Sequence, residues 1–216
     1  MLPRDQAKHY YERHAGKQDR QGFYEDPPLT RLIAQVPLAD LHEVFEFGCG
    51  TGRLAEQLLT RHLSETTRYL AVDLSEAMVT RARARLVSFG NRVRVVWTDG
   101  SLPLPAKTAS VGCVLSSYVL DLLPDAEIEA VLAEAARVLV SGGYLGLVNL
   151  THGTTTPSRL NMWRWQLLYR LKPTWVGGCR PLEMKSRLDA PTWSLLHHSV
   201  VVASWVPSEV LVAQKG

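Results

Sequence analysis

Three short stretches of the sequence carry residues whose types and spacing could do chemistry. The first is Glu46-Phe47-Gly48-Cys49-Gly50-Thr51-Gly52, where an acid closes an apolar run and glycines alternate behind it. Such a turn lets a ligand approach the backbone closely, and a helix starting behind it offers free N–H groups. The dinucleotide fingerprint would place glycine at position 53, which is Arg, and no Gly-Lys-Ser/Thr triplet marks a triphosphate loop. Glu46, two residues before Gly48, is awkward for a pyrophosphate and suits an ammonium group. The second stretch ends at Asp73, 21 residues after Gly52, where a carboxylate can accept hydrogen bonds from two ribose hydroxyls. The third is Asp99-Gly100-Ser101, a short acidic turn able to meet an adenine amino group. Together they describe a pocket for an adenosine that carries an amine and no phosphate.

S-adenosylmethionine (SAM) answers that description. The stretch 46–52 resembles motif I of the class I SAM-dependent methyltransferases, and Ala71-Val72-Asp73-Leu74-Ser75-Glu76-Ala77-Met78 resembles their motif II. Thr98-Asp99-Gly100 is similar to the adenine-side turn, and Leu139 to Leu145, reading LVSGGYL, to the run before the fifth strand. The resemblance covers residues 42–150 and is nearest to the small-molecule branch that includes ubiquinone and menaquinone methyltransferases. It implies SAM as cofactor and S-adenosylhomocysteine (SAH) as product. Asp73 would bind the ribose, and Leu74 and Met78 would line the adenine pocket. The cofactor set is then Tyr11, Glu46, Gly48, Cys49, Gly50, Gly52, Asp73, Leu74, Met78, Asp99, Gly100, Ser101 and Ser116. Asp121 departs from the pattern, standing where many relatives place a His.

The elements that must position these residues alternate strand and helix from residue 42 onward. Apolar runs at 42–47, 68–73, 93–97, 111–116 and 144–150 read as strands, and 51–63, 75–86 and 125–139 as helices. Ser75 is a helix N-cap, and Ser141-Gly142-Gly143 reads as a C-terminal glycine cap. Asp26-Pro27-Pro28 reads as a break that starts a helix. Strands apolar on both faces predict a parallel sheet covered by helices on both sides. Ser194–Ser204 and Glu209–Ala213, joined by Trp205-Val206-Pro207, predict a C-terminal antiparallel hairpin. The fold expected is therefore α/β, doubly wound and Rossmann-like. It has a mostly parallel seven-stranded sheet, an antiparallel C-terminal hairpin strand and an inserted lid. We read one domain over 1–216: a helical cover at 1–40, the SAM-binding core at 42–150, a substrate lid at 153–192 and the hairpin at 194–216.

A methyl acceptor must approach over the carboxyl ends of the fourth and fifth strands. His152 and Tyr118 are the catalytic candidates there; Tyr10, Ser117, Trp163, Trp165 and Arg180 are the substrate-binding ones. Positioning alone supplies much of the rate in such a displacement, and a base is needed only for a nucleophile that carries a proton. The tryptophans and arginines of 153–192 suit an apolar or aromatic acceptor, or contact with anionic lipid. A lipid-headgroup methyltransferase and a SAM- or SAH-binding protein without transferase activity are the competing readings; a nicotinamide oxidoreductase is disfavoured by Arg53.

Composition narrows the field further. Of 216 residues 46% are hydrophobic and 21% charged, which excludes disorder, collagen and coiled coil. A net charge of +3 is too small to imply nucleic acid, and neither an Asn/Asp-Pro-Pro-aromatic turn after the fourth strand nor a Pro-Cys nucleophile is present. Three scattered cysteines fit a reduced compartment, and no metal-ligand spacing occurs. The N-terminus has no signal-peptide pattern and no apolar run is long enough to span a bilayer. The expected setting is cytoplasmic, with a small-molecule acceptor as partner and peripheral membrane contact left open. The sequence leaves the oligomeric state open.

Overall fold

In the computed structural model, which describes residues 4–14, 16 and 18–216, a seven-stranded sheet runs in the order β3-β2-β1-β4-β5-β7-β6. The strands are β1 (Glu43–Phe47), β2 (Arg68–Asp73), β3 (Val93–Trp97), β4 (Val111–Ser117), β5 (Leu139–Leu150), β6 (Trp193–Ala203) and β7 (Val206–Lys215). The first five are parallel, and β7 lies antiparallel to both β5 and β6. The order reverses between β1 and β4, so a crevice opens at the carboxyl ends of β1, β2 and β4.

Strand residues alternate between the two faces. Val44, Cys113 and Val210 pack under α2 (Gly22–Ile33), α3 (Arg53–Arg61) and α4 (Glu76–Arg85), whose Leu32, Leu58 and Val79 are buried. Their neighbours Phe45, Val114 and Leu211 pack against α5 (Asp125–Val138) through Ile128, Leu132 and Ala135. Two apolar faces on one strand leave no solvated side, which is why the sheet is covered twice. The remaining helices are α1 (Arg4–His14) and α6 (Thr156–Leu171).

Three local expectations need correcting. Pro27 and Pro28 do not start or break a helix; they lie inside α2. Each removes one N–H from the helical ladder. The Phe23 carbonyl that Pro27 would have served accepts instead from the Ser204 hydroxyl at 3.5 Å, while buried Leu29, Leu32 and Ile33 hold the helix down. Gly142 is not a helix cap: α5 stops at Val138, because the Arg137 and Val138 carbonyls accept the N–H groups of Ala109 (2.9 Å) and Ser110 (2.8 Å). Leu139 is therefore free to pair with Val111 as the first residue of β5. The C-terminal hairpin turns on Ser204-Trp205, both at positive φ, and Pro207 lies within β7 opposite Val202. Positive φ at both turn residues is the geometry that matches strand twist in a two-residue turn.

Candidate cofactor and acceptor site

The glycine turn links β1 to α3 and is fixed from beneath. Gly48 and Cys49 both donate to the Val72 carbonyl at 2.9 Å, locking the turn to the end of β2. Gly48, Gly50 and Gly52 all have positive φ, a region that L side chains enter at a cost. The end of β2 presents Asp73, whose Oδ2 accepts from the Gly50 N–H at 2.8 Å and whose Oδ1 accepts from the Ser75 N–H at 2.9 Å. Ser75 in turn caps α4 by accepting from the Met78 N–H. One carboxylate thus sets the shape of the glycine turn and the start of α4. Burial raises the Asp73 carboxyl above its ordinary range, and the backbone N–H donors oppose the rise.

These residues line a cavity of about 480 Å³. Glu46, Gly48, Cys49, Gly50, Asp73, Leu74, Met78 and Gly100 contribute to its wall, joined by Tyr11, Ser117 and Tyr118. Glu46 is only 1% exposed and accepts from the Tyr69 hydroxyl at 2.8 Å. Burial and the nearby Asp73 push its carboxyl up to about 7, against the Tyr69 hydrogen bond. Around Gly50 a Cβ would meet nothing within 4 Å, so the turn faces open space. The cavity's arginine, Arg53, is held by Glu25 at 2.9 Å and by Asp26. Buried acids, an open glycine turn and a neutralised cation suit a nucleoside bearing an amine better than one bearing phosphates.

The remaining expected cofactor residues stand outside the lining. Gly52 faces α4, where a Cβ would lie 3.1 Å from Ala82. Asp99 is exposed and closes its own turn by accepting from the Ser101 N–H at 2.8 Å and from its hydroxyl. The Ser116 hydroxyl donates to the Phe47 carbonyl at 3.0 Å, tying β4 to β1.

On the acceptor side the structure rearranges the expected cast. Tyr118 lines the cavity at a positive φ of 54°, and its hydroxyl is 2.7 Å from that of Ser208. Strain of this kind in a non-glycine residue gathers at functional sites. His152 is exposed outside the cavity, 3.5 Å from the Gln166 amide. Trp163 is exposed, the Trp165 indole donates to the Cys179 carbonyl at 3.0 Å, and Arg180 pairs with Asp125 at 2.7 Å. Tyr10 stands edge-on to Tyr11, with ring centroids 5.3 Å apart. The lid expected at 153–192 contributes no lining residue; its Arg180 reaches the Leu123 carbonyl at 2.9 Å and Asp125 at 2.7 Å.

The cover over the cavity comes from the N-terminal segment, through Tyr11, Asp19, Glu25 and Leu29. Asp19 accepts from the Thr51 hydroxyl at 2.6 Å and pairs with Arg85 at 2.5 Å, so this segment is clamped onto the glycine turn. The Tyr11 hydroxyl donates to the Gly177 carbonyl at 3.3 Å, which joins it to the insertion. Glu25 was missed by sequence reasoning. Its signal is an acid on the same helical face as Leu29 and Leu32, at spacings of four and seven. Burial lifts the Glu25 carboxyl to about 7, opposed by Arg53. Asp121 is fully buried: Oδ2 accepts from the Leu150 N–H at 3.2 Å, Oδ1 has no partner, and burial pushes the carboxyl up to about 7.

Three buried carboxyls held near neutrality make a pH prediction. The folded chain binds protons more readily than the unfolded chain at Glu25, Glu46 and Asp121, so stability falls as pH rises from the ordinary carboxyl range through about 7. Asp19, whose carboxyl is lowered chiefly by its Arg85 hydrogen bond, acts oppositely and only at more acid pH. Thermal melts at about pH 5.5 and about pH 8 should show the lower midpoint at the higher pH. Equal midpoints would refute the buried-acid picture.

Comparison with known proteins agrees with this geometry. Residues 44–143 match the family described as a methyltransferase domain. The chain is 41% identical over 127 residues to a trans-aconitate 2-methyltransferase of Variovorax paradoxus, covering 57% of this chain and 46% of that protein. It is 30% identical over 124 residues to a carboxy-S-adenosyl-L-methionine synthase of Dichelobacter nodosus, covering 57% and 51%. The matches thus span about half the length of these relatives. In fold it is similar to a SAM-dependent methyltransferase of Thermotoga maritima, with a TM-score of 0.70 at 20% identity over 96% of this chain and 99% of that one. Motifs, strand order and family match agree: residues 44–143 are similar to a methyltransferase domain, and the sheet around them has the strand order of its structural relatives.

Proposed function

We propose that this protein transfers the methyl group of SAM to a small, apolar or aromatic acceptor. The observation that carries the reading is the pairing, in one cavity, of Glu46 and Asp73 at adjacent strand ends with a wall of Tyr118, Leu29, Leu122 and Leu123. Glu46 would hold the ammonium of the cofactor, Asp73 its ribose hydroxyls, and Leu74 and Met78 its adenine. SAM supplies a methyl group already activated on a sulfonium. The chain's contribution is alignment of the acceptor and exclusion of water, and this kind of positioning removes much of a displacement barrier. Tyr118 orients the acceptor; burial raises its phenol far above neutrality, so it donates a hydrogen bond and keeps its proton. Glu25, held near neutrality at the cavity wall, replaces His152 as the group able to take a proton from an acceptor that carries one.

The similarity to a trans-aconitate 2-methyltransferase supports a small-molecule acceptor, while the apolar or aromatic character is argued from the cavity wall alone. SAH release should be followed over quinols, phenols, thiols, ethanolamine-headed lipids and oligonucleotides. Turnover is expected with an aromatic member and none with oligonucleotides. SAM binding without turnover on any acceptor would favour a non-catalytic binding protein.

A further inference from the structure

The side of α6 that faces away from the protein is apolar. Ser158, Met162 and Trp165 pack inward. Leu160, Trp163, Leu167 and Leu171, repeating at intervals of three and four, form a second stripe on the opposite side of the helix. A solvated helix is polar there. Trp163 is 62% and Leu171 67% exposed, and exposed Trp175 follows in the next turn. At the other end the Asn161 amide donates to the carbonyl of Trp205 at 3.0 Å, bringing the exposed tip of the β6–β7 hairpin beside the helix.

The charge along α6 and its flanking chain has one sign. No Asp or Glu occurs between Glu134 and Glu183. Arg159, Arg164, Arg170 and Lys172 are exposed, and none of the ion pairs among the described residues involves them. None of α6 lines the cavity, so the substrate site does not explain the stripe. No helix among the described residues is long and apolar enough to cross a membrane.

We propose that α6 and Trp175 form a docking surface for an anionic lipid bilayer, with Leu160, Trp163, Leu167 and Leu171 entering the headgroup–acyl boundary and the four cations meeting lipid phosphates. Leucine and tryptophan rimmed by arginine and lysine is the composition of an interfacial helix. A second copy is the poorer occupant. A two-fold interface would set this face against itself and bring cations against cations with no acid between them. Nucleic acid would answer the charge and leave the leucines in water. The inference does not depend on methyl transfer.

The test is co-sedimentation of the full chain with phosphatidylcholine vesicles with and without 30% phosphatidylglycerol. Binding is expected only to the anionic vesicles, weakening with salt. Leu167→Glu and Trp163→Ala should each reduce it about tenfold, and Arg164→Glu roughly thirtyfold at low salt, each near membrane-surface cation losing a favourable contact and gaining a repulsive one. SAM affinity should stay unchanged in all three, showing that the fold is intact. The proposal is overturned if the folded protein ignores anionic vesicles. It is equally overturned if light scattering shows a dimer that Leu167→Glu dissociates, or if only duplex nucleic acid binds this face.

Discussion

Replacing Asp73 by alanine should weaken SAM binding by about 100-fold or more, the largest loss expected from any single side chain in the cavity wall. Hydrogen bonds to an ionised group contribute about 1.5–3 kcal/mol each, and two ribose hydroxyls would share this carboxylate. The same carboxylate accepts from the Gly50 and Ser75 N–H groups, so its removal also frees the glycine turn and the start of α4. Each orphaned N–H costs about 1–3 kcal/mol, which predicts a lower melting midpoint as well. Asp73→Asn is the milder change. Its one acceptor oxygen serves one of the two N–H groups while its NH2 faces the other, so it should recover part of the stability and part of the affinity. An Asp73→Ala protein that binds SAM as the wild type does would place the cofactor elsewhere.

Gly48→Ala is expected to be nearly as damaging, through the backbone. A Cβ at Gly48 would lie 2.2 Å from Val119 Cγ2, at a φ of 77°. The turn or the segment after β4 must shift, and both line the cavity. Overpacking of this kind costs about 1–3 kcal/mol and the left-handed backbone about 1–2 more. SAM affinity should fall with it. Gly50→Ala provides the contrast: its φ is also positive, yet its Cβ meets nothing, so only the backbone cost applies. Val119→Ala combined with Gly48→Ala should recover part of the stability, since the Cγ atoms that clash are gone. Denaturant melts of the three variants order these expectations. Equal losses at Gly48 and Gly50 would show that contact with Val119 plays no part.

What could be read from the sequence follows from how local its cause is. The glycine turn, Asp73 and the Ser75 cap are written within a few residues of where they act, and each stands where its local chemistry puts it. Apolar runs at strand spacing likewise give the parallel core and the antiparallel β7. The failures share a different cause. Gly142 looks like a cap because a helix precedes it, but the α5 carbonyls are satisfied by Ala109 and Ser110, a partner that only folding brings near. Two prolines look like a break, and tertiary burial of Leu29, Leu32 and Ile33 overrides them. The sequence suggests two covers, the N-terminal segment and the Trp- and Arg-rich insertion; only the first lines the cavity, held there by ion pairs from Asp19 to Arg85 and from Glu25 to Arg53. Each of these pairs joins residues far apart in the chain, and neither spacing nor composition records it.

Glu46, the glycine turn and Asp73 together would hold SAM and no dinucleotide. Isothermal titration of the purified protein with SAM, SAH and NADH distinguishes these ligands. We predict binding of both sulfur ligands with dissociation constants in the micromolar range and no heat from NADH. Silence with SAM and SAH, or heat from NADH alone, would contradict the assignment.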